Sequence, residues 1–279
     1  MPTIGIFAPL IAGVAALFST GTVVAGDPND TARLMGNRSC VKCDLRYADA
    51  SDRNFRGIDL RGAYMFNINL QRARLNGSNI ESANLQMANL ERADLSSARL
   101  NRAILSNALL TGATLIKASM ESVTARGAVF DTSDISDADL GTADLRGSSF
   151  IFSFAEGTNF KSADLRGTNF SKARMKGARA VDANMIGANF SGAFLQSTDL
   201  RRALMSQINF DGANLAYSNL TGANLERALL RRADLTGANL TNANLTDADL
   251  SEAEIGSVVL HGAVTCRAKL PAGLVATPC

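Results

Sequence analysis

The sequence predicts an all-β solenoid, a filled four-sided coil of about 11 turns. Three observations predict it. Apolar residues recur every five positions from Val41 to Leu260. Phenylalanines recur every 20 positions inside that run, and all four cysteines lie outside it or at its first frame.

The five-residue period comes first. Reading in fives from Val41 gives VKCDL, RYADA, SDRNF and so on to GSVVL, 44 frames without an insertion or deletion. The fifth residue of every frame is apolar, mostly Leu, with Phe, Met, Ile and four Ala. The third is Ala, Ser, Thr or Cys in 38 frames, and the fourth is Asn or Asp in 26. A helix repeats its apolar positions near 3.6 residues and a strand repeats them at 2, so a strict five suits neither. A chain that turns once per frame satisfies it: the fifth residue and the small third one point inward, and the other three point out. Asn, Asp and Gly suit the turning backbone, because they tolerate unusual dihedrals and bond nearby backbone groups.

The 20-residue spacing sets the number of frames per coil. Phe130, Phe150, Phe170, Phe190 and Phe210 all hold fifth positions. With four frames per turn, the five rings stack in one column, an arrangement favourable beyond burial alone. A close-packed interior then needs small neighbours. Ala125 adjoins Phe130, Ala155 adjoins Phe150, and Ala180 lies half a turn from Phe190.

Frames such as SANLQMANLERADL and TGANLTNANLTDADL resemble the pentapeptide-repeat family, and the resemblance covers residues 41–260. It implies a right-handed quadrilateral β-helix with four repeats per coil, in agreement with the Phe spacing. Eleven coils at the ~4.8 Å strand spacing make a rod of roughly 50 Å, whose two ends expose strand edges that need covering.

That length bears on the cysteines. Cys40 and Cys43 sit at one end, Cys266 and Cys279 at the other. Bridged Cα atoms lie within ~7 Å, so the expected disulfides are Cys40–Cys43 and Cys266–Cys279. The second would draw the tail CRAKLPAGLVATPC into a cap loop over the last coil. A haem reading of CVKC fails because Asp44 follows where His is needed. A zinc site lacks obvious further ligands, and a thioredoxin-like motif lacks its βαβ context. The Cys-framed ends also resemble those of extracytoplasmic pentapeptide-repeat proteins of bacteria, including lumenal ones of cyanobacteria.

The domain reading is a signal peptide or N-terminal anchor at 1–25, a linker and N-terminal cap at 26–40, the repeat at 41–260 and a C-terminal cap loop at 261–279. From Ile4 to Ala25 there is no charge, and Val23-Val24-Ala25 offers a cleavage site, although no Lys or Arg precedes the apolar run. With the even cysteine count this predicts an extracytoplasmic compartment: periplasm, lumen or secreted. A membrane role would follow only if the N-terminal segment is retained.

A filled core leaves only the outer faces for function. Arg126, Arg146 and Arg166 share one repeat position in successive coils. Like charges so opposed repel, so each is expected to swing to an aspartate such as Asp144 or Asp164, or else to form an anion or acidic-partner site. Ile151, Phe152 and Phe154 occupy outward positions, with Phe194 on the same face two coils later; Leu109 and Val129 make a smaller pair. Such a cluster predicts a protein contact or a homodimer interface, against local covering by the stems of Lys172 and Arg174. The lone histidine, His261, belongs to the cap. Triplets such as Asn219-Leu220-Thr221 follow from the frame and are not glycosylation signals. No catalytic, metal or cofactor site is expected, and no nucleic-acid partner, since 28 basic and 26 acidic residues nearly balance.

The expected function is therefore a non-enzymatic extracytoplasmic interaction or structural scaffold with an unidentified protein partner. One alternative is a DNA-mimic protein that interacts with gyrase or another topoisomerase, from which the slight basic excess departs. The other is a thiol-redox protein using Cys40 and Cys43.

Overall fold

The computed structural model describes residues 26–36, 39–276 and 278–279. The expected signal peptide or anchor at 1–25 lies outside the described residues. Among the described residues, no helix is long and apolar enough to cross a membrane.

The chain forms a right-handed quadrilateral β-helix. Parallel bridges join residue i to residue i+20 in unbroken succession, from Ser39↔Asp59 to Asp249↔Lys269. Four frames therefore make one coil. The four faces are numbered by the core residue each carries in the first coil: face 1 by Cys40, face 2 by Leu45, face 3 by Ala50 and face 4 by Phe55.

Each frame repeats one local structure. The N–H of the third residue donates to the carbonyl of the preceding fifth residue, as Ala63 does to Leu60 at 3.1 Å. The second residue of every frame from Lys42 to Arg267 has φ between about +50° and +70°. These are the marks of a type II turn at each corner. Glycine suits that second position, yet Arg, Lys, Ser, Asp and even Phe152 fill it elsewhere. Of the two tasks expected of the fourth-position Asn and Asp, they perform the bonding of nearby backbone. They do not adopt the unusual dihedral; their side chains accept the N–H of the residue two further on and so brace the next corner, as Asn84 does for Gln86 at 3.0 Å. Some amides also bond from coil to coil, Asn159 Nδ2 to Asp139 Oδ1 at 2.7 Å among them.

Third and fifth residues fill the interior as one continuous core. The phenylalanine column stands on face 3: Phe130, Phe150 and Phe170 stack with centroids 4.5 and 4.4 Å apart and planes within 3°. Phe190 continues it at 4.9 Å, and Phe210 tilts away by 45°. Phe160, on the opposite face 1, meets Phe150 and Phe170 edge-on. Ala180 follows it on face 1, which leaves room for the rings across the core.

The ends differ. At the N-terminus, a short helix α1 spans Pro28–Gly36. Asp27 caps it by accepting the Asn29 N–H at 2.8 Å, and Pro28 takes the first turn, where its missing N–H costs nothing. The sequence reading of 26–40 as linker and cap did not include this helix. Leu34 packs onto the core. Gly26 and Asp27 pair with the exposed edge of face 2, donating to the carbonyls of Arg46 and Asp44 at 2.9 Å each, while Asp30 Oδ2 accepts the Asp44 N–H. A side chain on Gly26 would collide with the Asp44 carbonyl, its Cβ only 2.6 Å away.

At the other end the turn-and-bridge pattern does not stop at Leu260. Two more frames, HGAVT and CRAKL, continue it to Leu270, with bridges at Val264 and Lys269. The reading from sequence stopped early because Thr265 takes a fifth position there; it is nonetheless buried. The tail loop that follows covers the last coil only in part. Ile255, Val258 and Leu260 stay half-buried, and the N–H groups of Ile255 and Leu260 meet no carbonyl among the described residues.

Candidate interaction surface

Both expected disulfides are present: Cys40–Cys43 and Cys266–Cys279. Cys40 occupies a fifth position and Cys43 a third, so the first pair is part of the core, 0 and 2% exposed. Asp30 brings a carboxylate within 4.8 Å of those sulfurs. With both sulfurs in the bridge, the cluster offers no thiolate to a metal or a redox partner.

Arg126, Arg146 and Arg166 line the corner between faces 2 and 3, and their charges are met by aspartates. Arg146 Nε and Nη2 both donate to Asp144 at 2.9 Å, and Arg126 Nε donates to the same carboxylate at 2.6 Å. Arg166 grips Asp164 bidentately at 2.8 and 2.6 Å, and Arg146 lies 3.5 Å from Asp164 as well. The Arg146 hydrogen bonds hold the Asp144 carboxyl down to about 2, against the opposing effect of partial burial and with help from Arg126. The ladder is an alternating chain of guanidinium and carboxylate, which removes the like-charge repulsion feared from the spacing alone. It fits the expectation that each arginine swings to an aspartate.

The aromatic residues come together on face 4 and its leading corner. Phe154 and Phe194 project from the face with Arg174 bridged between them. Phe152, Lys172 and Gly192 occupy the corner in the same three coils. Phe152 is 51% exposed, Phe194 49% and Phe154 39%, the largest group of bared rings among the described residues. With Thr132, Lys172, Arg174 and Gly192 they line a shallow depression of about 660 Å³. Gly192 leaves the corner open beside Phe194. Phe152 serves the turn no better than glycine would, since its backbone is left-handed at φ 57°.

The covering stems are there too. Lys172 Nζ stands 5.2 Å from the Phe152 ring centroid, and Arg174 Cζ 5.5 Å from that of Phe154. Each contact is worth about 0.5–1 kcal/mol at such exposed sites. They lie over the rings without hiding them. Ile151 is half-buried and its N–H is tied to Asp131 Oδ1 at 2.9 Å, so it borders the group without lining the depression. The arginine ladder and the aromatic group therefore run down opposite margins of face 3, and do not form one site.

Leu109 is 41% exposed and bridges to Val129 on face 3, as expected. Sequence reading passed over Tyr217, 69% exposed, and Leu204, 46%. Both stand at outward repeat positions, where the same rule that picked out Phe154 applies.

Several solved structures are similar to this chain. HetL, a pentapeptide repeat protein involved in heterocyst differentiation regulation from the cyanobacterium Nostoc, is 25% identical over 86% of this chain and 94% of its own, with a TM-score of 0.41. Rfr23 from the cyanobacterium Cyanothece is 25% identical over 42% of this chain and 90% of its own, with a TM-score of 0.38. QnrB1, a plasmid-mediated fluoroquinolone resistance protein, is 22% identical over 57% of this chain and 89% of its own, with a TM-score of 0.30. Among curated proteins no match is found. The sequence model described as "Pentapeptide repeats (8 copies)" matches overlapping segments that run without a break from residue 39 to residue 264. With that match spanning most of the chain, and the 20-residue coil built as it requires, the protein belongs to the pentapeptide-repeat family.

Proposed function

We propose that this protein is a non-enzymatic scaffold of an extracytoplasmic compartment that holds a protein partner on face 4. The observation that carries the reading is the bared aromatic group of Phe152, Phe154 and Phe194. Three large rings exposed together cost solubility and bring the fold only two exposed cation–ring contacts in return, which suits a contact surface. The interior is filled, so the rod offers its surroundings only its faces and ends. Two disulfides in so short a chain suit an oxidising compartment, and the uncharged N-terminal segment suits export.

The topoisomerase reading has less support. A mimic of DNA presents a continuous acidic surface; here the formal charge is +2 and the row of Arg126, Arg146 and Arg166 places cations in three successive coils. The redox reading needs an accessible thiolate, and Cys40 and Cys43 are bridged within the core.

Affinity capture tests the proposal. Tagged protein with Phe152, Phe154 and Phe194 all changed to Ser would be compared with the natural chain in extracytoplasmic extract. Loss of a specific partner with an unchanged melting temperature supports the reading. Identical partners recovered by both proteins reject it. Cell fractionation with N-terminal sequencing checks the compartment independently, and recovery of the uncleaved chain in the cytoplasm rejects that half.

A further inference from the structure

We infer that face 4 receives an amphipathic helix of the partner, lying along the rod axis, with apolar residues at i and i+7 and carboxylates at i+3 and i+4. This rests on the interaction reading proposed above and adds the partner's chemistry to it.

The argument starts from the order of the coils. One coil carries Phe152 and Phe154, and the coil two steps on carries Phe194. The coil between them carries three cations across the same surface: Lys172 at the corner, Arg174 on the face and Lys176 at the next corner. Arg174 is matched by Glu156, its Nε donating to Oε1 at 3.0 Å. Lys172 and Lys176 have no carboxylate partner among the described residues. The surface is therefore banded: aromatic, cationic, aromatic.

The band spacing selects the occupant. Coils repeat at ~4.8 Å, so the two aromatic bands lie about 9.6 Å apart. A helix rises about 1.5 Å per residue, which places i and i+7 on one side at about 10.5 Å. Residues i+3 and i+4 fall midway and flank the line between them. An extended strand presents same-side residues at about 6.8 and 13.6 Å and matches neither interval. The middle positions of such a helix face two ammonium groups free of any carboxylate, and Asp or Glu there completes them. Gly192, with no side chain, leaves the corner beside Phe194 clear for the end of the helix.

Peptide display tests this directly. A library of random peptides of roughly 18 residues, about five helical turns, is selected on the purified protein. The Phe154→Asp/Phe194→Asp variant serves for counter-selection. Expected are net-acidic sequences with apolar residues seven apart that become helical on binding. Their affinity should fall roughly tenfold or more for the counter-selection variant, and about tenfold for Lys172→Glu/Lys176→Glu. Binders specific to the aromatic surface that alternate every second residue, or that are basic, overturn the helix inference and leave the interaction reading standing. Peptides enriched equally on the natural and variant proteins overturn both. Because all four side chains are exposed, the variants should keep their melting temperature, and Phe194→Ser alone repeats the test without adding a charge.

Discussion

The rings of Phe150 and Phe170 lie parallel, 4.4 Å apart, one coil directly beyond the other. Phe160 reaches across the core to meet both by its edge, 6.5 and 5.7 Å away. Three rings from two opposite faces thus fill the shaft where Ala155 and Ala180 leave room. Phe150→Ala would empty a site that two coils share, with no side chain nearby long enough to refill it. A loss of about 3–5 kcal/mol is expected, and Phe150→Leu should cost about 1.5 kcal/mol or less because Leu is the usual occupant of this position. Chemical denaturation measures both. Equal losses for Ala and Leu would show that stacking, and not volume, dominates.

Two inward hydroxyls contrast with their neighbours. Ser148 Oγ donates to the Leu145 carbonyl at 2.6 Å and Thr198 Oγ1 to the Leu195 carbonyl at 2.7 Å. Ser78 Oγ and Ser153 Oγ are buried with no hydrogen-bond partner among the described residues. Alanine already fills most third positions, so the shape is accommodated. Ser153→Ala should stabilise by up to about 1 kcal/mol, or at least cost nothing, while Ser148→Ala should cost about 1 kcal/mol. Denaturation midpoints for the pair decide it; the reverse order would mean that Ser153 has a bound water.

The architecture was legible because its period is covalent. A frame of five, unbroken from Val41, dictates which residues point inward whatever the details of the turn, and Phe130 to Phe210 reveal the coil length. What the sequence hides depends on side-chain reach. That Arg126, Arg146 and Arg166 turn to Asp144 and Asp164 was legible, but that Asp144 takes two of them and Arg146 reaches both carboxylates follows from rotamers the repeat spacing does not give. The corner that needs a left-handed residue was masked because arginine, serine and lysine fill it as often as glycine does. Frame CRAKL looked like tail because Thr265 breaks the apolar rule just before it. At the candidate surface, Phe152, Phe154 and Phe194 were recognisable as outward aromatics, but the separation of Ile151 and of the arginines from them needed three dimensions.

The two disulfides should differ in accessibility. Cys40 and Cys43 are nearly without solvent contact, whereas Cys279 is exposed at the tail. Mild reductant under native conditions, followed by thiol alkylation and mass analysis, should therefore label Cys266 and Cys279 well before Cys40 and Cys43. Opening the bridge of 13-residue separation releases the tail, with about 3 kcal/mol of local stabilisation lost. The lowering of the melting temperature should be matched by Cys279→Ser. Simultaneous labelling of all four cysteines would mean that the N-terminal helix opens as readily as the tail.

Asp144 makes the arginine ladder sensitive to acid. In the folded protein its carboxyl titrates at about 2, against 3.8 for an ordinary aspartate, chiefly because Arg146 bonds the ionised form. A folded-state value below the unfolded one means that the unfolded chain takes up the proton first as the solution is acidified. The stabilisation is complete above about pH 4 and disappears as pH falls towards 2. Arg126 is exposed and Arg146 partly so, so solvent screening reduces the contribution to about 1–2 kcal/mol. Asp144→Asn should be less stable than the natural protein by that amount at pH 7, and the gap should close near pH 2. Urea denaturation at the two pH values reads it directly. A gap of the same size at both would assign the loss to the geometry of the side chain and not to its charge, and high salt would then leave it unchanged.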